Sequence, residues 1–382
     1  MQTENKDSLV TSSDPIFDDI RPCNDSEVQV ELKKIASDKL VIDSILKFRY
    51  PLLSKHFSFL LKPIVKMVLM RKVAKFKSIA QFQDFVAGMM NHVISSTTDG
   101  LTLEGFEKLV PNKGYLFISN HRDIALDPAF IDMALHAQGL DTVRIAIGDN
   151  LLRMPAATSL MRLNKSFIVR RSIASPRDKL KALSHLSTYI GLSIKENHSV
   201  WIAEREGRAK DGDDKAEAAV MKMLGLYGRT LKQSFKEYMS SLNIVPVSIT
   251  YEFDPNDLAK ANELDIRERN NGEYKKDKLE DIETITRGIR DYKGRVKVVC
   301  GEPITSGFET AEELCELIDN FIHQNYEMYP STLISANVAE GVSDNDKIKF
   351  EQRLEKYPQN LRQRVCDMYA KPYLNKVNSL KS

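Results

Sequence analysis

The feature that most constrains this chain is an alternation of short apolar strands with helical segments through its middle. Six runs rich in β-branched and aromatic residues predict strands, at residues 114–119, 143–147, 166–169, 199–203, 244–251 and 295–304. Helical patterns separate several of them, at residues 128–138, 176–195 and 216–238. Such alternation is typical of an α/β fold, with a mixed sheet that carries helices on both faces.

The composition is that of an ordinary folded protein. With 42% hydrophobic and 28% charged residues over 382 positions, the chain can form one main domain with helical additions. The four cysteines, Cys23, Cys300, Cys315 and Cys366, form no Cys-x-x-Cys pair. This spacing argues against a zinc site or a disulfide scaffold and fits a reducing, cytosolic compartment. No secretory signal pattern opens the sequence.

Four segments are predicted along the chain. Residues 1–27 are polar and predict a loose arm, and residues 28–98 predict a basic amphipathic helical region. Residues 99–308 form the α/β domain, and residues 309–382 a helical extension with breaks at two prolines, Pro330 and Pro358. Within the domain, the polar stretch between Asn256 and Arg295 predicts a surface insertion without obvious chemistry.

Charge is segregated although the whole chain carries a net charge of only +2. Between Asp43 and Asp84 there is no acidic residue, and nine cations lie there: Lys47, Arg49, Lys55, Lys62, Lys66, Arg71, Lys72, Lys75 and Lys77. The same stretch holds short apolar runs, none of which reaches the roughly 18 to 20 residues that cross a bilayer.

This basic, apolar stretch predicts a helix that lies on an anionic membrane surface through residues 47–77. The expected location is the cytoplasmic face of a membrane, with peripheral or monotopic attachment. Two alternatives remain open: a helix whose lysine face is merely solvated, and a nucleic-acid surface. The second is the least favoured, because nothing else in the sequence resembles a nucleic-acid-binding motif.

A candidate general base follows the first strand of the α/β region. Of seven histidines, only His121 comes directly after a buried strand with a carboxylate close behind, at Asp127. Such a pair can take a proton from a hydroxyl, with the carboxylate fixing the imidazole tautomer. The alternative is structural: Asp127-Pro128 is also a good helix start, with a capping aspartate before proline.

Three further segments follow or interrupt predicted strands. Residues 165–171 end in two cations, and residues 203–210 place a glycine beside arginine and lysine. The second arrangement lets backbone amides and a guanidinium approach a phosphate, although a charged surface turn explains it equally well. In the third segment, Pro246 interrupts a strand, which predicts a sheet edge or a bulge.

Taken in order, these elements resemble the four sequence blocks of the glycerolipid acyltransferases, which include glycerol-3-phosphate and lysophosphatidate acyltransferases. The resemblance covers roughly residues 100–305. The blocks fall on Asn120, His121 and Asp127; on Phe167 through Arg171; on Glu206-Gly207-Arg208; and on Val245-Pro246-Val247.

Two positions depart from the family pattern. The family places its aspartate where Leu126 stands, so that Asp127 comes one residue late and Asp123 well early. We favour Asp127 as the partner of His121, because an Asp-Pro pair opens the next helix in many members. In the third block, Arg205 stands where the family usually has proline.

The resemblance implies an O-acyltransferase that moves a fatty acyl group from acyl-CoA or acyl-carrier protein to a glycerol phosphate lipid precursor, above all 1-acyl-glycerol-3-phosphate. His121 and Asp127 are then catalytic, and no metal or other cofactor is needed. Substrate binding falls to Asn120, Arg122, Arg170, Arg171, Glu206, Gly207 and Arg208. The alternatives are another acceptor, such as glycerol-3-phosphate or a different lyso-lipid, and an inactive lipid-binding membrane adaptor.

Overall fold

A computed structural model describes residues 10–152, 154–277 and 279–381. Over these residues the chain forms seven strands: β1 (Gly100–Glu104), β2 (Leu116–Ser119), β3 (Arg144–Gly148), β4 (Ser166–Val169), β5 (Val200–Ala203), β6 (Ile244–Tyr251) and β7 (Arg295–Cys300). The α-helices are α1 (Val28–Ser37), α2 (Lys39–Arg49), α3 (Pro51–Val73), α4 (Ile79–Thr97), α5 (Leu126–Ala137), α6 (Pro155–Leu163), α7 (Pro176–Lys195), α8 (Ala218–Leu224), α9 (Leu226–Thr230), α10 (Phe235–Ser241), α11 (Asp257–Arg269), α12 (Glu280–Arg290), α13 (Ala311–Gln324), α14 (Pro330–Ser335), α15 (Asp344–Glu355) and α16 (Gln359–Ser379).

The six predicted strands are all present, and the α/β class is confirmed. β1 was not predicted, because its five residues alternate between exposed and half-buried positions and carry a weak apolar signal. The chain divides into two compact units. Unit 1 comprises Met1–Met89 and Arg144–Glu196, and unit 2 comprises Met90–Val143 and Asn197–Ser382.

Unit 1 is built mainly from helices. The helical region predicted from residue 28 is confirmed as α1, α2 and α3. Asp38 separates α1 from α2, and its carboxylate caps the N-terminus of α2. A core cluster joins these helices to α4 and α6 through Cys23, Val28, Leu32, Ile79, Phe82 and Leu163. β3 and β4 pair in parallel, with Ile145 opposite Ser166.

The prediction of a loose N-terminal arm is wrong for residues 10–27. Phe17 is fully buried, and its ring stacks on His185 of α7 with ring centroids 4.7 Å apart. The backbone of Ser12 donates to Glu196 at 2.8 Å, and that of Cys23 donates to the Arg162 carbonyl at 3.0 Å. A few apolar residues among many polar ones are therefore enough to pack this segment onto unit 1.

Unit 2 contains a mixed sheet in the order β1-β7-β6-β2-β5. The pairs β1/β7, β2/β6 and β2/β5 are parallel, and β6/β7 is antiparallel. Helices lie on both faces, since Ser248 Oγ donates to Ile322 O of α13 and the Tyr251 ring lies against Phe130 of α5. Ser248 and Tyr251 point to opposite faces of β6, because side chains alternate along a strand.

Pro246 is not at a sheet edge, which corrects one half of the prediction, but a bulge is present beside it. Val247 pairs with Cys300 whereas Ile244 bridges to Ile304, so the β6/β7 register shifts by one residue at this point. Pro246 lies in β6, between β2 and β7, opposite Ile118 of β2. The hydrogen-bonded pairing of β6 with β7 covers Val247 to Tyr251. Pro246, which has no backbone N–H to donate, therefore comes just before this pairing and does not interrupt it.

The long helix predicted over residues 216–238 is broken into α8, α9 and α10. Gly225 lies between α8 and α9, Lys232 adopts φ 58° after α9, and Ser234 begins α10 with a capping box. Turn and capping residues therefore override the apolar periodicity here.

The polar stretch before β7 is not a featureless surface insertion. It forms α11 and α12, and Asp257, Lys260 and Glu263 of α11 are buried. The C-terminal helices are confirmed, and Pro330 and Pro358 lie at the starts of α14 and α16. In the described part of the chain, no helix is long and apolar enough to span a bilayer.

Candidate active site

The parallel strands β2, β5 and β6 of unit 2 end at the same edge of the sheet. Loops beyond the carboxyl ends of such strands form the binding crevice of α/β folds. The loop after β2 carries His121, the loop after β5 carries Glu206, Gly207 and Arg208, and β6 ends at Tyr251.

His121 is paired with Asp127, as the sequence predicts. Its Nδ1 lies 2.9 Å from Asp127 Oδ2, and its side chain is 14% exposed. Among the described residues, Nε2 makes no hydrogen bond. Because a carboxylate bond at Nδ1 fixes the proton there, Nε2 carries the lone pair and can accept a proton.

Asp127 is fully buried, and hydrogen bonds reach both of its oxygens. Oδ2 accepts from the backbone amides of Arg122 at 2.6 Å and Asp123 at 2.8 Å, in addition to the His121 ring. Oδ1 accepts from the Tyr251 hydroxyl at 2.7 Å. Four donors therefore compensate the burial of this carboxylate and set its orientation toward His121.

The extra residue in the first block is absorbed without loss of the histidine–carboxylate pair. Asp127 lies in the first turn of α5, and Asp123 closes the turn before it by accepting from the backbone amides of Ala125 and Leu126, both at 2.9 Å. Asp123 is therefore the residue that organises the helix start, and Asp127 contacts His121. The alternative role of Asp127 as a simple N-cap is wrong.

Asn120 and Arg122 converge on a buried carboxylate, Asp214. Asn120 Nδ2 donates to Asp214 Oδ2 and to Ile249 O, each at 2.9 Å, and Asn120 Oδ1 accepts from Ile249 N at 2.8 Å. Arg122 Nη2 donates to the same Asp214 oxygen at 2.7 Å. Burial lowers the pKa of Arg122, but Asp214 together with Tyr326, Asp254 and Glu204 more than offsets this, so that the net change is upward. These contacts give both residues an internal, positioning role.

The Glu206-Gly207-Arg208 block lies beside the loop that carries His121. The backbone N–H of Ala209 donates to His121 O at 3.2 Å, and Gly207 adopts φ 80° with open space where a Cβ would be. Glu206 is exposed, and its N–H donates to Glu217 at 3.2 Å. The pKa of Asp123 is raised, first by burial and then by Asp127; the backbone amides of Leu126 and Ala125 and, after them, the positive charge of Arg208 act in the opposite direction. Arg208 therefore brings a cation to this loop.

Several residues of the site were not found from the sequence. The Trp201 ring lies edge-on to the His121 ring, with the ring centroids 5.5 Å apart, and Trp201 Nε1 donates to Ser119 Oγ at 3.0 Å. Glu204 is buried, and its carboxyl group has no hydrogen-bond partner among the described residues. Burial, Asp214 and Asp319 raise the pKa of Glu204 well above its ordinary range. Trp201 lies in β5 and Glu204 directly follows it. Their position near the carboxyl end of a buried strand is the sequence signal that could have identified them as site residues.

Arg170 and Arg171 belong to unit 1, and their part in substrate binding stays a prediction. Arg170 forms an ion pair with Asp19 at 2.7 Å and lines a cavity of about 590 Å³ together with Ile168, Lys181 and His185. The backbone N–H of Arg171 donates to Asp149 at 3.2 Å. In the described residues no cluster of histidine, cysteine and acidic side chains has a metal-binding arrangement.

The region that holds this site is similar to known proteins. Residues 100–250 match the protein family described as Acyltransferase. A search of curated proteins gave no significant match. One similar solved structure is the 1-acyl-sn-glycerophosphate acyltransferase PlsC from Thermotoga maritima, with a TM-score of 0.36 and 15% identity over 76% of this chain and 94% of that chain. A likeness at that level decides nothing about the substrate.

Proposed function

We propose that this chain, whose residues 100–250 match the family described as Acyltransferase, moves a fatty acyl group from a thioester to the hydroxyl of a glycerol phosphate lipid precursor. The preferred acceptor is 1-acyl-glycerol-3-phosphate. The observation that carries the proposal is that the buried Asp127 carboxylate accepts four hydrogen bonds, one of them from Nδ1 of His121. This is the arrangement that a general base for an alcohol requires.

In the proposed reaction, His121 Nε2 takes the proton of the acceptor hydroxyl while its oxygen attacks the thioester carbonyl. The new C–O ester bond forms, the C–S bond breaks, and the thiolate leaves with the carrier, either CoA or acyl-carrier protein. The imidazolium then returns its proton to the thiolate. Asp127 supports the transient imidazolium, and every proton is accounted for without a metal or a redox cofactor.

Arg208 is the cation that we assign to the acceptor phosphate within unit 2. Its positive charge opposes the rise that burial causes in the pKa of Asp123, and Gly207 beside it leaves open space for a phosphate to approach. Arg170 and Arg171 stay as assignments from the sequence resemblance. Asn120 and Arg122 act through Asp214 to hold the loop, and Glu206 orders the turn around Gly207.

We also propose that the enzyme lies on an anionic membrane surface at the cytoplasmic face. α3 exposes apolar side chains at helical spacing, among them Leu60 (53% exposed), Ile64 (51%) and Val68 (53%). Lys66 and Arg71 lie on the same helix, while Lys62 is paired with Asp43 at 2.8 Å. An enzyme with a lipid product gains from this location, because the acyl chains need not enter water.

The adaptor alternative predicts no chemistry. An aspartate that comes one residue late would fit a protein that has lost catalysis, but the 2.9 Å contact of Asp127 with His121 supports the enzyme instead. Glycerol-3-phosphate and other lyso-lipids remain as alternative acceptors, and one assay separates all of these possibilities.

The test uses the purified full chain with acyl-CoA and, in separate reactions, lysophosphatidate, glycerol-3-phosphate or lysophosphatidylcholine. Free thiol is followed photometrically, and the lipid product is identified by mass spectrometry. We expect one thiol released per phosphatidate formed. An adaptor would release no thiol with any acceptor, and that result would overturn the proposal.

The matched variants are His121→Ala and His136→Ala, the second at an exposed position near the end of α5. Loss of the base should lower kcat by about 10²- to 10⁴-fold. His136→Ala should retain the wild-type rate. Near-normal turnover by pure His121→Ala protein would remove His121 from the mechanism.

A further inference from the structure

The helices before β7 contact the catalytic loop through one buried lysine. Lys260 of α11 is only 2% exposed, and its Nζ donates to Arg122 O at 2.7 Å and also binds Asp254. A lysine is almost never buried unless its charge is compensated. Here one of its partners is a carbonyl between the two proposed catalytic residues.

The peptide unit that Lys260 binds is also bound by Asp127. It joins Arg122 to Asp123, so that its carbonyl accepts from Lys260 while its N–H donates to Asp127 Oδ2 at 2.8 Å. The preceding peptide is held in the same way, because His121 O accepts from Ala209 N and Arg122 N donates to Asp127 Oδ2. Each peptide that bonds Asp127 is thus anchored at its other end.

Two further residues of the same segment, Asn256 and Gly288, lie against the Asp123 side chain. Asn256 Nδ2 donates to Asp123 Oδ2 at 3.2 Å, and Arg287 Nε of α12 donates to Asn256 Oδ1 at 2.9 Å. Gly288 of α12 lies so close that a Cβ there would be 2.3 Å from Asp123 Oδ2. A methyl group at this position of the helix would therefore require the Asp123 carboxylate to move.

We propose that α11, α12 and the turn before α11 hold the His121–Asp127 segment in place, with Lys260 as a positioning residue for the acyl transfer. The inference rests on the proposed function for the meaning of that loop. Lys260 does not touch substrate in this account. It orients the peptide that bonds Asp127, and through Asp127 it orients His121.

The test compares Lys260→Met with Arg353→Met in the full chain. Arg353 is a matched control, because it is also a cation that binds this segment. Its Nε donates to Asp257 and its Nη2 to Asp254 O, each at 2.8 Å. Neither of these bonds reaches the loop that carries His121. Both variants should unfold at lower temperature. Only Lys260→Met should lower kcat, by about 10- to 100-fold, with KM for both substrates little changed, since a small displacement of a catalytic group has costs of this size.

A second pair of variants keeps the inference testable if Lys260→Met does not fold. Gly288→Ala favours helix formation intrinsically but places a methyl group against Asp123, whereas Thr286→Ala changes an exposed position on the same helix. Gly288→Ala should lower kcat, and Thr286→Ala should not. Proton NMR of the His121 Nδ1–H signal should show the bond to Asp127 weakened only in Lys260→Met and Gly288→Ala.

The outcomes separate the two proposals. Wild-type protein that releases no thiol would end the proposed function. Active wild-type protein with unchanged kcat in Lys260→Met and Gly288→Ala, or an equal loss of kcat in Arg353→Met, would overturn the positioning role of Lys260.

Discussion

Tyr251 donates its hydroxyl to Asp127 Oδ1 at 2.7 Å, on the oxygen opposite to the one that contacts His121. Burial and the charge of Asp127 raise the pKa of Tyr251 well above its ordinary value, so that the hydroxyl stays protonated and keeps donating. The last residue of β6 therefore supports a carboxylate in the first turn of α5, and that carboxylate holds the histidine of the loop after β2. The pair couples two strands of the sheet to the orientation of one imidazole.

Tyr251→Phe should weaken the site without removing any proposed catalytic group. The variant leaves one oxygen of a buried carboxylate unpaired, which costs about 1–3 kcal/mol. We expect a lower melting temperature and a kcat reduced by about 10-fold, because Asp127 can turn away from His121. Tyr292→Phe is the control, since that hydroxyl binds Asp99 at the surface. Equal activity of the two variants would argue against a role for Tyr251.

Asp214→Ala should destabilise the fold strongly. One Asp214 oxygen accepts from Asn120, from Arg122 and from the Tyr326 hydroxyl at 2.5 Å, so that its loss leaves a buried guanidinium without its carboxylate. Breaking a buried ion pair in this way costs about 3–5 kcal/mol. Its neighbour Asp213 is half-exposed and pairs with Lys371 at 3.4 Å, so Asp213→Ala should cost about 0–1 kcal/mol. Urea unfolding of both variants measures the difference.

Asp319 should make stability depend on pH. Burial raises its pKa to about 6, although a hydrogen bond from Ala216 N works in the opposite direction. The folded state then binds a proton that the unfolded state releases, so that stability falls as pH rises through about 4 to 6. Asp319→Asn should be more stable than the wild type at pH 7, by on the order of 1–2 kcal/mol.

The same comparison should be repeated between pH 4.5 and 8. The advantage of Asp319→Asn should shrink as pH falls, because the wild-type carboxyl becomes neutral. Glu316→Gln, at an exposed position on the same helix, should show no such trend. An advantage that grows toward low pH would contradict the assignment.

Charge reversal on α3 should weaken membrane binding. Lys66→Glu with Arg71→Glu should reduce sedimentation with anionic liposomes, since each cation near such a surface contributes about 1 kcal/mol. Binding of the wild type should also weaken at high salt. The control is Lys349→Glu with Lys356→Glu, a matched change at exposed positions in the C-terminal helices. If the wild type bound neutral vesicles at high salt as well as it binds anionic liposomes, electrostatic attraction would not explain the membrane binding.

The sequence by itself determined the local structure and the position of the reactive histidine. Apolar runs and their periods predict the strands from β2 to β7 and most helices, because burial and backbone preference are encoded within a few residues. His121 stood out for the same reason, as the histidine that directly follows a buried strand. Where turn and capping signals compete with periodicity, as in α8 to α10, the local pattern misled.

Only the tertiary structure decided which groups complete the site. Asp127 rather than Asp123 meets His121 because of how the loop turns before α5. Tyr251 lies 124 residues from Asp127, and Lys260 lies 138 residues from Arg122. Hydrogen bonds over such separations depend on strand order and helix docking, which no local pattern contains. The sequence therefore located the reactive loop, and long-range packing determined its geometry.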